Sequence, residues 1–249
     1  MTPYEQFKRE CDEEIQVLGQ DQDIRRTSKE WMDKVNAKKY SYHFEWMGRP
    51  IIQYPQDIMA MQELIWEVKP DLIIETGIAH GGSLIFYASM LELCALSGGP
   101  QDAQIIGIDI DIRAHNRQAI VDHPMNRRIT MFEGSSIAPE MVAKVVELAS
   151  QKKNIMLVLD SNHTHDHVLA ELNAYAHLTS LNSYCVVFDT VIEDMPDGMF
   201  NDRPWGIGNN PKTAVHQFLK AHPEFAIDMK VQNKLQITVA PDGFLKRVK

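Results

Sequence analysis

The stretch Asp71-Leu-Ile-Ile-Glu75-Thr-Gly77-Ile-Ala-His80-Gly81-Gly82-Ser83 decides the fold. A short apolar run ends in an acid, a glycine-rich turn follows, and an apolar helical stretch continues to about Leu96, which predicts strand, turn, helix. The same texture recurs downstream. Apolar runs occupy 105–109 (Ile-Ile-Gly-Ile-Asp), 129–133 (Ile-Thr-Met-Phe-Glu), 155–160 (Ile-Met-Leu-Val-Leu-Asp) and 184–189 (Tyr-Cys-Val-Val-Phe-Asp), with helical stretches between several of them, notably 138–150 and 166–181. Strands that are apolar throughout need cover on both faces, so the expected architecture is α/β, a mostly parallel sheet between helical layers. Residues 225–231 and 235–239 lie close enough to predict a C-terminal antiparallel hairpin.

Upstream, residues 1–41 form a polar segment in which Tyr4, Phe7, Cys11, Ile15 and Leu18 recur every three or four positions, the pattern of an amphipathic helix. The expected division is a helical extension over 1–41 and one domain over 42–249. The stripe on that helix has to be covered, and a second copy of the chain is the expected cover, giving a homo-oligomer. Residues 42–55, rich in aromatics with Gly48, Pro50 and Pro55, read as a connecting segment, and Asp57 as the cap of a helix through Val68.

Composition narrows the class of partner. The 249 residues carry 25 basic and 34 acidic side chains, a net charge of −9, with the basic residues scattered; this argues against nucleic acid, whose phosphates demand clustered Lys and Arg. Hydrophobic residues at 44 % and charged residues at 24 % describe an ordinary globular chain. Cys11, Cys94 and Cys185, odd in number and widely spaced, form neither a disulfide framework nor a zinc motif. A charged N-terminal stretch and no apolar run of 18 residues predict neither a leader peptide nor a membrane span, and so a cytoplasmic protein.

The strand ends carry the chemistry. Glu75, Asp109, Asp160 and Asp189 each close an apolar run, and Glu133 is followed by Gly134-Ser135-Ser136. In an open α/β sheet these ends share one edge, where ligands bind. The first turn, with Gly77, Gly81, Gly82 and Ser83, admits close backbone approach, but it is not G-x-G-x-x-G, and Glu75 ahead of it repels a pyrophosphate. An amine-bearing ligand suits Glu75, and Asp109 is placed to accept ribose hydroxyls; S-adenosylmethionine offers both groups without phosphate. Asp160-Ser-Asn-His163-Thr-His165-Asp166-His167 is the densest ionisable cluster. Asp160, His163 and His165 are the candidate catalytic groups, as proton acceptors or as part of a metal site. Asp189, Glu193 and Asp194 follow the next strand, so the two neighbouring strand ends together offer oxygen ligands of the kind Mg²⁺ prefers. The loop 191–211, with Arg203 and Trp205, is long enough to act as a lid.

Together, Glu75-Thr-Gly-x-x-x-Gly-Gly-Ser83, Gly107-Ile-Asp-Ile-Asp111, Glu133-Gly-Ser-Ser136, Asp160-Ser-x-His163, His167-Val-Leu169, Arg203-Pro-Trp-Gly206 and Gly243-Phe-Leu-Lys-Arg247 resemble the cephalosporin hydroxylase family, which groups with rhamnosyl and macrolide-sugar O-methyltransferases. The resemblance runs from about Trp46 to the C-terminus. It implies the Rossmann-like sheet of class I S-adenosylmethionine-dependent methyltransferases. It also implies that Glu75, Gly77, Gly81, Gly82 and Ser83 hold the amino-acid end of the cofactor, and that Asp109 holds the ribose. Ile110 counts with them, Ser135 or Ser136 lies near the adenine, and Asp160 and Asp189 bind Mg²⁺. Phe188 stands where the family commonly has an acid, which removes one carboxylate unless Glu193, Asp194 or a histidine replaces it. The expected reaction is methyl transfer to a hydroxyl of a small molecule, a sugar or a specialised metabolite. The rivals are an NAD-dependent oxidoreductase, a metal-dependent hydrolase or oxygenase built on residues 160–167, and a non-catalytic oligomer that binds the cofactor.

Overall fold

The computed structural model describes residues 1–199 and 201–249. Its N-terminal part is two helices, α1 (Pro3–Gln20) and α2 (Gln22–Asn36), broken at Asp21. The Asp21 carboxylate accepts from the backbone N–H groups of Asp23 and Ile24 and so starts the second helix. A small antiparallel pair, β1 (Phe44–Trp46) and β2 (Arg49–Ile51), leads into α3 (Pro55–Val68). Then come β3 (Leu72–Thr76), α4 (Gly82–Leu96), β4 (Gln104–Asp109), α5 (Ala114–Val121), β5 (Ile129–Glu133) and α6 (Pro139–Ala149). The chain continues through β6 (Ile155–Leu159), α7 (His165–Tyr175), β7 (Tyr184–Val187), α8 (Pro211–Ala221), β8 (Phe225–Ile227), α9 (Met229–Leu235) and β9 (Phe244–Arg247).

The main sheet has the order β5-β4-β3-β6-β7-β9-β8, parallel from β5 to β7, with β9 antiparallel to both of its neighbours. Period-two alternation divides the buried residues between two faces. Ile73, Ile105, Met156, Val158, Tyr184, Val186 and Phe188 join α3 and α4 on one face. Leu72, Ile74, Ile106, Ile108, Leu157, Leu159, Cys185 and Val187 join α6, α7 and α8 on the other. After β3 the chain builds outward through β4 and β5, then returns to place β6 on the other side of β3. The switch in direction therefore lies at the carboxyl ends of β3 and β6, the place where such sheets bind ligands.

Two expectations are corrected. The C-terminal antiparallel pair is β8 with β9, not 225–231 with 235–239. Residues 229–235 are helical because Asp228 caps them by accepting from the Lys230 N–H, and because Val231 points into the α3/α4 core. Asp57 is not a cap: it lies inside the first turn of α3 with no exposed surface, and its carboxylate accepts from the Thr238 hydroxyl and, at 3.0 Å, the Val239 N–H. Burial pushes that carboxyl up to about 7, against the pull of those two donors. Through α2 the N-terminal segment packs on the core. Met32 is buried within it, and Trp31 meets Tyr40 and Tyr54 edge-on at 5.1 and 6.2 Å. α1 lies on α9, with Gly19 so close to Asn233 that a Cβ would fall 2.2 Å from its side chain, and with Lys230 paired to Asp12 at 2.6 Å.

Among the described residues no helix is long and apolar enough to cross a membrane, and Cys11, Cys94 and Cys185 are free thiols.

Candidate active site at the strand switch

At the end of β3 the backbone turns through Gly77 (φ 92°) and Gly81 (φ 81°), both in the left-handed region that favours glycine. A Cβ on Gly77 would lie 2.1 Å from the Asp160 carbonyl oxygen, and one on Gly82 would lie 2.1 Å from that of Pro50. The turn is thus pressed between β6 and β2. Asp109, from the end of β4, holds it: one carboxylate oxygen accepts from the N–H groups of Ile78 and Ala79 at 2.8 and 3.2 Å. Its other oxygen accepts from the Asp111 N–H at 3.1 Å. From outside, Arg49 donates to the His80 carbonyl and to Asn116, which donates in turn to the Ala79 carbonyl. Neither Arg49 nor Asn116 was expected from sequence.

Beneath the turn lies a buried polar pocket. Glu75 has no exposed surface, and one carboxylate oxygen accepts from the Ser83 hydroxyl at 2.8 Å. Burial pushes its carboxyl up to about 8; the Ser83 hydroxyl acts against this, and the Asp109 charge adds to it. The second oxygen of Glu75, the Tyr87 hydroxyl and both amide atoms of Gln53 are buried without a hydrogen-bond partner. Unpaired buried polar atoms cost about 1–3 kcal/mol each, and Gln53 carries two of them at the wall of a crevice. Gln53, Ile78, Gly82, Ser83 and Asp160 share the lining of that crevice. Ile110, just beyond Asp109, is 70 % exposed, an apolar side chain held open at the same edge.

The ends of β6 and β7 bring acids and an imidazole together. One ligand atom from each of Asp160, His163 and Asp189 fits within a mutual separation of 4.8 Å, and His163 Nε2 lies 3.1 Å from Asp189 Oδ2. The Asp160 carboxyl is pushed well above the usual range, first by burial and then by the charges of Asp189 and Glu75. Asp189 is a non-glycine residue at φ 55°, in the left-handed region. Trp205, in the loop after β7, meets the His163 ring edge-on at 4.8 Å, and Arg203 lies over the indole at 5.4 Å.

Other expected residues go elsewhere. His165 opens α7 and turns to α8, its two ring nitrogens 2.7 Å from the Thr213 hydroxyl and 3.0 Å from the Gln217 amide oxygen, so it is spent on holding the helices together. Ser136 is buried, and its hydroxyl donates to Glu171, which also receives Ser161 at 2.7 Å. Ser135 accepts from the Ala138 N–H through its carbonyl. Glu193 accepts from the Gly208 N–H and from Asn210, Asp194 pairs with Lys212 at 2.7 Å, and Phe188 is 1 % exposed in the core. A histidine, His163, therefore stands where a third acid was to be sought.

The family model described as Rhamnosyl O-methyltransferase/CmcI matches residues 38–248. This chain belongs to that family. It is accordingly a methyltransferase, built on the class I S-adenosylmethionine-dependent fold. Among proteins similar to this family member, the rhamnosyl O-methyltransferase of Mycobacterium bovis is 30 % identical over 207 residues, covering 81 % of this chain and 77 % of that one. An apo CmcI structure superposes with a TM-score of 0.56 at 21 % identity, covering 84 % of this chain and 77 % of that one. A CmcI structure with Mg and SAM superposes at 0.54 and 19 % identity, covering 84 % and 78 %. At those identities the likeness is one of fold.

Proposed function

We propose that this methyltransferase moves the methyl group of S-adenosylmethionine to a hydroxyl of a small-molecule acceptor, a sugar or a specialised metabolite. The observation that carries the proposal is a crevice lined by Gln53, Gly77, Ser83 and Asp160, with Glu75 bound to Ser83 behind it, Asp109 holding Ile78 at its rim and Asp189 beside Asp160. A cofactor with a cationic amino-acid end supplies charge to Glu75 and hydrogen bonds to the Gln53 amide. Gly77, Gly81, Gly82 and Ser83 form the turn around that end, Asp109 faces the ribose, and Ile110 gives the base an apolar neighbour. Ser135 and Ser136 border that side of the sheet through the loop after β5. In-line attack of oxygen on the methyl carbon needs positioning above all, and a closed crevice supplies it.

Asp160, His163 and Asp189 fit a divalent cation: their donor atoms converge, and two are carboxylate oxygens. Mg²⁺ is the cation of the CmcI structure with Mg and SAM. Such an ion lowers the pKa of an acceptor hydroxyl. Asp160 and His163 are the two groups of this chain placed to take the hydroxyl proton. A sugar acceptor is supported by the rhamnosyl specificity that names the Mycobacterium bovis relative. We also propose a homo-oligomer formed through α1, where Tyr4 and Phe7 remain 67 % and 59 % exposed, and a cytoplasmic setting, in keeping with three free thiols.

Calorimetry with S-adenosylhomocysteine tests the cofactor half of the proposal, and radiolabelled methyl transfer to a panel of deoxysugar glycosides tests the acceptor half. No binding heat with the nucleoside would remove the proposal's foundation.

A further inference from the structure

The donor set at the strand ends is not that of an all-oxygen cation site. Two ligands that sit side by side on an octahedral cation with bonds near 2.1 Å are about 3.0 Å apart. His163 Nε2 and Asp189 Oδ2 are in direct contact at 3.1 Å, a spacing that also suits neighbouring ligands, and a ligand atom of Asp160 lies within 4.8 Å of both. Among the described residues that follow β7, the next two acids after Asp189 are engaged elsewhere. Glu193 is held by Gly208 and Asn210, and Asp194 by Lys212. The alternation of β7 sends Tyr184, Val186 and Phe188 into the α3/α4 core, so Phe188 contributes packing and nothing else. His163 is itself only 17 % exposed, with the Trp205 edge against its ring.

We propose that His163 is a direct nitrogen ligand, and that the Asp160–His163–Asp189 centre selects a cation of borderline softness, Mn²⁺ or Co²⁺, over Mg²⁺. This rests on the reading above that the site holds a divalent cation. Mg²⁺ favours oxygen donors in a strict octahedron, whereas imidazole suits the first-row transition metals. A ring nitrogen committed to a cation does not also take the acceptor's proton, which leaves Asp160 as the proton acceptor of the two.

Pulsed electron paramagnetic resonance on the full chain loaded with Mn²⁺ reads the nitrogen directly. The wild type should show ¹⁴N coupling from a bound imidazole, and His163→Gln, checked for folding by circular dichroism, should not. Calorimetric titrations with Co²⁺ and Mg²⁺ form the second arm: His163→Asp, which restores an oxygen donor, should lower the Co²⁺ to Mg²⁺ affinity ratio about tenfold or more. Absence of the coupling in the wild type, its persistence in His163→Gln, or an unchanged ratio overturns the assignment. Failure to bind any divalent cation with S-adenosylhomocysteine binding intact removes the metal site and leaves methyl transfer standing. Loss of nucleoside binding instead defeats the proposed function itself.

Discussion

Glu75 is a carboxyl group without exposed surface whose pKa has been pushed up to about 8, so near neutrality the protonated form predominates. Its proton is held more tightly in the folded chain than in the unfolded one, where 4.5 is the ordinary value. The sign follows: as pH rises from about 4.5 through about 8, the folded protein loses stability on account of this residue. Glu75→Gln removes that slope. Chemical denaturation should find the variant close to wild type at pH 5 and more stable at pH 8, while its calorimetric affinity for S-adenosylhomocysteine falls about tenfold, because a bound amine favours the ionised form of Glu75, a charge that Gln cannot supply. A stability gap that does not widen with pH, or undiminished affinity, would refute this. Acids at the ends of apolar runs were plain in the sequence because a strand of a covered sheet tolerates charge only where it emerges. The division of labour between His163 and His165 was not, since both lie in one short turn and only the docking of α8 draws the second aside. Gln53 and Tyr87 were invisible for a related reason: each is a single polar residue in an otherwise apolar neighbourhood, and only the fold brings them to Glu75.

The glycine turn offers a controlled comparison between elements. Gly77 and Gly208 share a left-handed backbone, with φ 92° and 80°, yet a Cβ on Gly77 meets the Asp160 carbonyl while one on Gly208 meets nothing within 4 Å. Gly208→Ala should therefore cost only the backbone term, about 1 kcal/mol, whereas Gly77→Ala should cost at least about twice that and abolish nucleoside binding, because the ends of β3 and β6 must part. Equal losses in urea titrations would show that the close approach carries no weight. The pattern of elements along the parallel sheet was legible from apolar runs and turn residues. Its C-terminal end was not: residues 225–239 alternate in polarity enough to suggest two strands, but the cap at Asp228 and the burial of Val231 make the middle helical, and the true partner strand lies at Phe244–Arg247. Period alone cannot rank these readings when a short helix and a short strand expose the same residues.

For the whole molecule, the expected association through α1 can be tested without touching the crevice. Sedimentation equilibrium should give a multiple of the chain mass of 28.5 kDa, and the double variant Tyr4→Glu, Phe7→Glu should sediment as the monomer with unchanged affinity for S-adenosylhomocysteine. A wild type that is monomeric at micromolar concentration would end the idea. What composition and strand texture conveyed at this scale was a covered parallel sheet with acids at its strand ends. How the chain's beginning meets its end had no local signal, because contacts such as that of Gly19 with Asn233 join residues at opposite ends of the sequence.

That last contact bears on how the protein is made. Gln236 donates to the Leu18 carbonyl across a separation of 218 residues, so the surface on which α1 rests leaves the ribosome only that many residues after α1 itself. At about 5–20 residues per second, α1 waits roughly 10–40 seconds with its stripe uncovered. During that interval chaperones, or neighbouring nascent copies on the same polysome, compete with α9 for the first helix.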